Sequence, residues 1–164
     1  MKKNIIIVVS AMNLGGAQRV VSILCNHWLD NGHKVTLIST FTGEKKDHYS
    51  VGKGAKLLTL KISPNFANNK ILKLPFKVIQ LRKLIKKENP DIVISFLTRI
   101  NTAATISTIG LKTPLIISER IWTPFATLNS DLFWFYRILF RKVLKTVVQT
   151  QKSMTWLKCH FPSL

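Results

Sequence analysis

The chain has 164 residues, 46% of them hydrophobic: enough for one domain with a real core, too few for two full ones, and too apolar for a disordered chain. Its 25 Lys and Arg against 7 Asp and Glu give a formal charge of +18, a field that attracts polyanions such as nucleic acid, anionic lipid headgroups or pyrophosphate-bearing substrates. The two cysteines show neither zinc spacing nor a disulfide framework, no run approaches the roughly 20 apolar residues of a membrane span, and Ile5–Val9 is too short for a signal-peptide core, so a cytoplasmic or peripheral membrane protein is expected.

The first element is a strand over Ile5–Val9, five β-branched residues suited to burial on both faces. A loop ending in Gly15-Gly16 follows. Ala17, Val20, Val21, Leu24 and Trp28 then recur at helical spacing and predict a helix from about Gly16 to Asp30, closed at Gly32. Lys34–Thr40 reads as the second strand, completing a βαβ unit of about 35 residues. Phe41–Lys56 reads as a loop and Leu57–Leu60 as a short third strand, with another loop from Ser63. A helix is predicted over Lys70–Glu88, its Pro75 tolerable only near the start. Then come a strand over Pro90–Phe96, a loop over Leu97–Asn101, a short helix over Thr102–Ile109 and a fifth strand over Pro114–Ser118. A loop over Glu119–Asn129 leads to a helix capped by Ser130 and reaching about Leu144, a strand over Thr146–Thr150 and a helical stretch over Lys152–His160. Apolar strands alternating with helices predict an α/β fold, a Rossmann-like, doubly wound, mostly parallel sheet. Ligands bind such sheets at the carboxyl ends of the strands, here Met12–Ala17, Phe41–Gly43, Phe96–Asn101 and Ser118–Trp122.

A strand feeding a glycine loop at a helix N-terminus is a natural seat for a phosphate, because free N–H groups and the positive end of the helix dipole converge there. The loop is neither G-x-G-x-x-G nor G-x-x-x-x-G-K-[ST], so it is no dinucleotide fingerprint and no P-loop. On chemistry alone, Gly15-Gly16 serves either as a phosphate seat or as a tight strand-to-helix turn.

Three stretches together resemble family 4 glycosyltransferases, in the branch acting on bacterial cell-surface and lipid-linked glycans. They are Leu14-Gly15-Gly16-Ala17-Gln18-Arg19-Val20 after the first strand, Glu88–Phe96, and Ser118-Glu119-Arg120 after the fifth. The resemblance covers nearly the whole chain. It implies one half of a GT-B architecture, in which two Rossmann-like domains face a cleft. Residues 1–164 would be the N-terminal, acceptor-binding domain, and the donor domain with its paired glutamates is absent from this chain, which is expected to be inactive alone. The resemblance implies that Gly15, Gly16 and Ala17 face the diphosphate of a nucleotide-sugar donor. Arg99 and Asn101 would hold an acceptor phosphate or sugar hydroxyl, the alternative for Arg99 being a solvated loop charge. Glu119 and Arg120 stand where many relatives place a catalytic-site His or Asp; Glu119 either orders the acceptor hydroxyl or pairs with Arg120. Family membership implies retention of anomeric configuration, no obligatory metal, and no cofactor beyond the nucleotide-sugar co-substrate.

Two helices carry a second apolar face. Opposite the core stripe Leu74, Val78, Leu81 and Ile85 stand Leu72, Phe76 and Ile79, flanked by Arg82, Lys83, Lys86 and Lys87. After Ser130, Trp134 and Ile138 point away from the core among basic residues, and Arg137, Arg141 and Lys145 form a ridge at i, i+4, i+8. Apolar side chains among Lys and Arg are what an interfacial helix presents to anionic lipid. The alternative is that they pack beneath the 61–69 loop or against the missing domain. The chain is therefore expected to be the acceptor-side half of an enzyme moving a sugar to a lipid-linked or cell-surface glycan at the cytoplasmic membrane face. The alternative is a non-catalytic Rossmann-like domain that binds anionic lipid or nucleic acid through its basic face; no base-stacking platform favours nucleic acid.

Overall fold

The computed structural model describes residues 1–40, 49–60, 70–120 and 141–161. Among them stand β1 (Asn4–Val9), α1 (Gly16–Asp30), β2 (Lys34–Ser39), β3 (Lys56–Thr59), α2 (Lys70–Glu88), β4 (Ile92–Phe96), α3 (Thr98–Thr108), β5 (Leu115–Ser118), β6 (Lys145–Val147) and α4 (Gln151–His160). The six strands form one sheet in the order β3-β2-β1-β4-β5-β6, and every neighbouring pair is parallel. This is the doubly wound order, in which the direction of winding reverses between β1 and β4.

Strand alternation divides the core in two. Ile6 and Val8 of β1 join Val93, Leu115 and Ile117 on one face, covered by Leu81 and Ile85 of α2, Ala104 of α3 and Leu157 of α4. Ile5, Ile7 and Val9 join Val35, Leu37 and Phe96 on the other, covered by Val21 and Cys25 of α1. Each fully enclosed aliphatic side chain contributes about 1.5–3 kcal/mol. Burial pushes the Cys25 thiol up to about 12, whereas Cys159 on α4 is exposed. At the edge, Lys56 of β3 donates from Nζ to Glu88 Oε1 at 2.7 Å, and the Glu88 side chain keeps only 5% of its exposure.

α1 and α2 match the predicted bounds, and Pro75 stands one turn into α2, as expected. Most of the other elements differ only by a residue or two at their ends, but two need a physical account. α3 begins at Thr98, four residues before the predicted Thr102, because Leu97 turns the chain sharply after β4 (φ 74°) and its carbonyl at once accepts from the amides of Ile100 and Asn101. β6 is also displaced: it covers Lys145–Val147, and Thr150 instead caps α4, its hydroxyl accepting from the Ser153 amide at 3.1 Å. Lys145 is therefore a strand residue paired with Ile116, and Arg141 lies in a turn, so the expected helical ridge through Arg141 and Lys145 does not exist. The expected Glu119–Asn129 loop beyond Arg120, the helix from Ser130 up to residue 140, Trp134 and Ile138 lie outside the described residues.

Candidate active site

The winding reversal opens a crevice at the carboxyl ends of β1 and β4. On its β1 side the chain runs from Ser10 to Gly15 and enters α1. Gly15 is extended (φ 165°, ψ 155°) and, among the described residues, no side-chain hydrogen bond caps the helix. The first turn of α1 holds no acidic residue, so its leading N–H groups keep their unsatisfied positive end. Gly16 is exposed, and a Cβ built on it would meet nothing within 4 Å among the described residues. The nearest described atoms to a Cβ on Gly15 would be those of the flexible Gln18 side chain, and Ala17 is half-buried. The glycines thus leave backbone open on the outer side of the loop; they are not demanded by crowding or by a left-handed turn.

On the β4 side, strand alternation decides where the charges go. Leu115 and Ile117 of β5 face α2 and α3, and Glu119 continues that parity. Ser118 and Arg120 take the opposite parity. Glu119 is 2% exposed, and its two carboxylate oxygens accept from Thr98 Oγ1 and Asn101 Nδ2, each at 2.7 Å. Asn101 is fully enclosed; its Nδ2 also donates to the Ser118 carbonyl at 3.1 Å, and its Oδ1 accepts from Ser95 Oγ at 2.8 Å. Burial raises the Glu119 carboxyl above the ordinary glutamate value, with the hydrogen bonds from Asn101 and Thr98 opposing the rise.

Arg120 lies elsewhere. Its guanidinium stands over the buried Phe96 ring, 5.5 Å from the centroid, on the α1 face, and its Nε is buried without a hydrogen-bond partner among the described residues. Adjacent in sequence, Glu119 and Arg120 point to opposite faces of the sheet, so they make no ion pair. Arg99 is exposed in the first turn of α3. The structure therefore brings Glu119 and Asn101 together in one enclosed network and presents Arg99 at the surface. The Asn101 amide, expected to meet an acceptor, spends its hydrogen-bonding capacity inside the protein. Sequence reasoning missed Thr98 and Ser95 as the partners of this network, although strand parity assigns both Ser95 and Glu119 to the α3 face.

On the outer side of α2, Ile79 keeps 52% of its surface, Lys83, Lys86 and Lys87 are exposed, and Phe76 is half-buried; the side chain of Leu72 lies outside the described residues. Arg82 is not part of a free basic face, since its Nη1 donates to the carbonyls of Ser107 and Ile109 at 2.9 and 2.6 Å. Arg141 and Lys145 are exposed. No helix among the described residues is long and apolar enough to cross a membrane.

This six-stranded parallel sheet matches one Rossmann-like half of GT-B enzymes. It superposes on sucrose-phosphate synthase from Thermosynechococcus elongatus with a TM-score of 0.73, over 97% of this chain and 45% of that one, at 11% identity. It superposes on MurG of Acinetobacter baumannii with a TM-score of 0.65, over 92% and 42% of the two chains, at 13% identity. At such identities the likeness shows the fold alone.

The sequence places the chain within that class. The profile described as Glycosyltransferase Family 4 matches residues 14–162, and the chain belongs to this family. It is 36% identical over 114 residues to a Campylobacter jejuni protein named GalNAc-alpha-(1->4)-GalNAc-alpha-(1->3)-diNAcBac-PP-undecaprenol alpha-1,4-N-acetyl-D-galactosaminyltransferase. The match covers 69% of this chain and 31% of that relative, so the chain spans about a third of the relative's length.

Proposed function

We propose that residues 1–164 form the acceptor-side, N-terminal half of a retaining glycosyltransferase. Completed by a donor domain, the enzyme moves a sugar from a nucleotide-sugar to a lipid-linked or cell-surface glycan at the cytoplasmic face of the membrane, and this half alone is inactive. The carrying observation is the open glycine loop: Gly16 is exposed, and among the described residues a Cβ on it would meet nothing within 4 Å and no side-chain hydrogen bond caps α1. In a family of sugar-transferring enzymes, that loop suits a diphosphate leaving group, whose growing charge the N–H groups of Gly15, Gly16 and Ala17 stabilise as the donor's sugar–phosphate bond breaks and the glycosidic bond to the acceptor forms. Arg99, at the rim of α3, holds an acceptor phosphate or sugar hydroxyl, and Arg120 adds a cation on the α1 face. Ile79 and Phe76, with Lys83, Lys86 and Lys87, bring the site to an anionic lipid surface, and Arg141 and Lys145 add charge. The lipid-linked acceptor named for the Campylobacter relative supports this choice.

The test is Gly16→Val in the enzyme carrying its donor domain. The new side chain enters open space, so the melting temperature stays within about 2 °C, a shift that corresponds to about 0.5–1 kcal/mol in a domain of this size. Transfer to a polyprenyl-diphosphate-linked glycan falls at least about 100-fold, the scale of losing an oxyanion-stabilising donor. Near-normal turnover would overturn the diphosphate role. Absence of transfer by the wild-type enzyme with any nucleotide-sugar would leave the chain as a non-catalytic binder of anionic lipid or nucleic acid.

A further inference from the structure

We propose that Glu119 is a positioning residue: its enclosed carboxylate clamps the first turn of α3 to the end of β5 and so sets where Arg99 stands at the crevice. This rests on the glycosyltransferase reading only for its kinetic consequence, since the clamp is a property of the fold.

The clamp is closed on every side. Thr98 and Asn101, on successive sides of the first turn of α3, each donate to one Glu119 carboxylate oxygen at 2.7 Å. Asn101 ties the same turn to the Ser118 carbonyl and to Ser95 of β4. The Leu97 amide donates to the Ser118 carbonyl at 3.1 Å, and the Glu119 amide donates to the Val147 carbonyl of β6 at 2.9 Å. Three strands therefore meet the helix start through one carboxylate and one amide. Both Glu119 oxygens are occupied and the residue is 2% exposed, so no oxygen is turned toward a ligand. Arg120, the neighbour that would neutralise it, lies over Phe96 on the other face of the sheet.

Leu97 shows what the clamp holds. A leucine at φ 74° and ψ 140° occupies backbone space that glycine prefers, and such geometry persists only where the surroundings over-determine it. The bonds that over-determine it are those from Leu97 and Asn101 to Ser118, with Glu119 closing the turn behind them. Released, Leu97 relaxes and the first turn of α3 moves, carrying Arg99, which is one residue beyond Thr98.

Glutamine distinguishes positioning from contact with substrate. In Glu119→Gln, the new side-chain oxygen accepts from Asn101 and the new NH2 donates to the Thr98 hydroxyl, so the clamp survives without a carboxylate. Three variants, Glu119→Gln, Glu119→Ala and Thr98→Val, are made in this chain for amide hydrogen exchange and in the enzyme carrying its donor domain for kinetics. Exchange of the Ile100 and Asn101 amides rises at least about tenfold in E119A, to a smaller extent in T98V, and stays within about twofold of wild type in E119Q, following the loss of local hydrogen bonding. In the enzyme, kcat falls at least about tenfold in E119A and stays within about threefold in E119Q, as expected for misplacement of a group remote from the chemistry. An E119Q enzyme as slow as E119A, with α3 exchange unchanged, would assign Glu119 to the substrate's proton instead. Unchanged exchange in folded E119A would remove the clamp, and if E119A does not fold, unchanged exchange in T98V would do the same. A wild-type enzyme without transferase activity would defeat the functional reading while leaving the exchange result to decide the clamp.

Discussion

Glu88 and Glu119 are both shut away from water, yet their surroundings push them in opposite directions. The hydrogen bond from Lys56 holds Glu88 below the ordinary glutamate value, whereas burial raises Glu119 against the hydrogen bonds from Asn101 and Thr98. The pH signs follow. Glu88 contributes stability above its unfolded value of about 4.3, and that contribution is lost as pH falls through its lower folded value. The contribution of Glu119 is full below its unfolded value and is lost as pH rises through its raised folded value. Lys56→Met is therefore expected to destabilise the chain by about 1–3 kcal/mol at pH 7, by leaving an enclosed carboxylate without its donor. Denaturant unfolding of both proteins should show that deficit shrinking as the pH is taken below about 4; a deficit independent of pH would mean that Lys56 acts through packing of its stem. The Glu119-Arg120 pair also marks what was legible at this scale. Sequence left open whether the two residues pair with each other, and β5 decides it by sending them to opposite faces. That parity was readable from Leu115 and Ile117. The hydroxyls waiting on α3 were not, because the sequence pattern predicts a later start for that helix.

Among the elements, α1 and α2 were legible to the residue because each carries a long apolar stripe at helical spacing. α3 was not. Thr98, Asn101, Thr102, Thr105, Ser107 and Thr108 are all buried and only Arg99 of the helix is exposed, so no polar outer face marks a period. Such a sequence can be buried because its hydroxyls turn back on their own helix: Thr102, Thr105, Ser107 and Thr108 each donate to the carbonyl four residues earlier. β6 was misplaced for a different reason, being three residues long with Lys145 and Val147 exposed, too short and polar to show a period. The far end of α3 depends on α2. Arg82 reaches across to the Ser107 and Ile109 carbonyls, and the Ser107 hydroxyl, donating to the Ala103 carbonyl at 2.7 Å, shares that proton with the Val78 carbonyl at 3.1 Å. Arg82→Met should cost about 1 kcal/mol, since water can replace part of the lost bonding, and lower the melting temperature by about 2–4 °C. Calorimetry checks this; an unchanged transition would mean that α3 needs no cap from α2.

Over the whole molecule, the doubly wound class was legible from the alternation of apolar strands with helices, and that class alone places the crevice at the carboxyl ends of the strands. Charge says less about place: +18 is a sum, and part of it is tied up in structure, as Arg82 and Lys56 are. What remains together on α2 is Ile79 with Lys83, Lys86 and Lys87. The expected result is co-sedimentation of this chain with anionic vesicles but not neutral ones, surviving in part at high salt because inserted apolar surface is not screened. Ile79→Ser should remove the salt-resistant part and leave the salt-sensitive part. Binding abolished completely by salt in the wild type would assign the basic surface to a soluble polyanion.

The contrast between the two cysteines has a practical consequence. Cys25, sealed under α1 with its thiol pushed to about 12, stays protonated and inert at neutral pH, while Cys159 is exposed on α4. α4 leaves the carboxyl end of β6, and Cys159 comes eight residues after its first, about 12 Å along the axis at 1.5 Å per residue. The native chain thus offers a single addressable thiol set back from the crevice. A fluorophore attached there, paired with another on the donor domain proposed above, would report the distance between the two without removing a cysteine or adding one to this half.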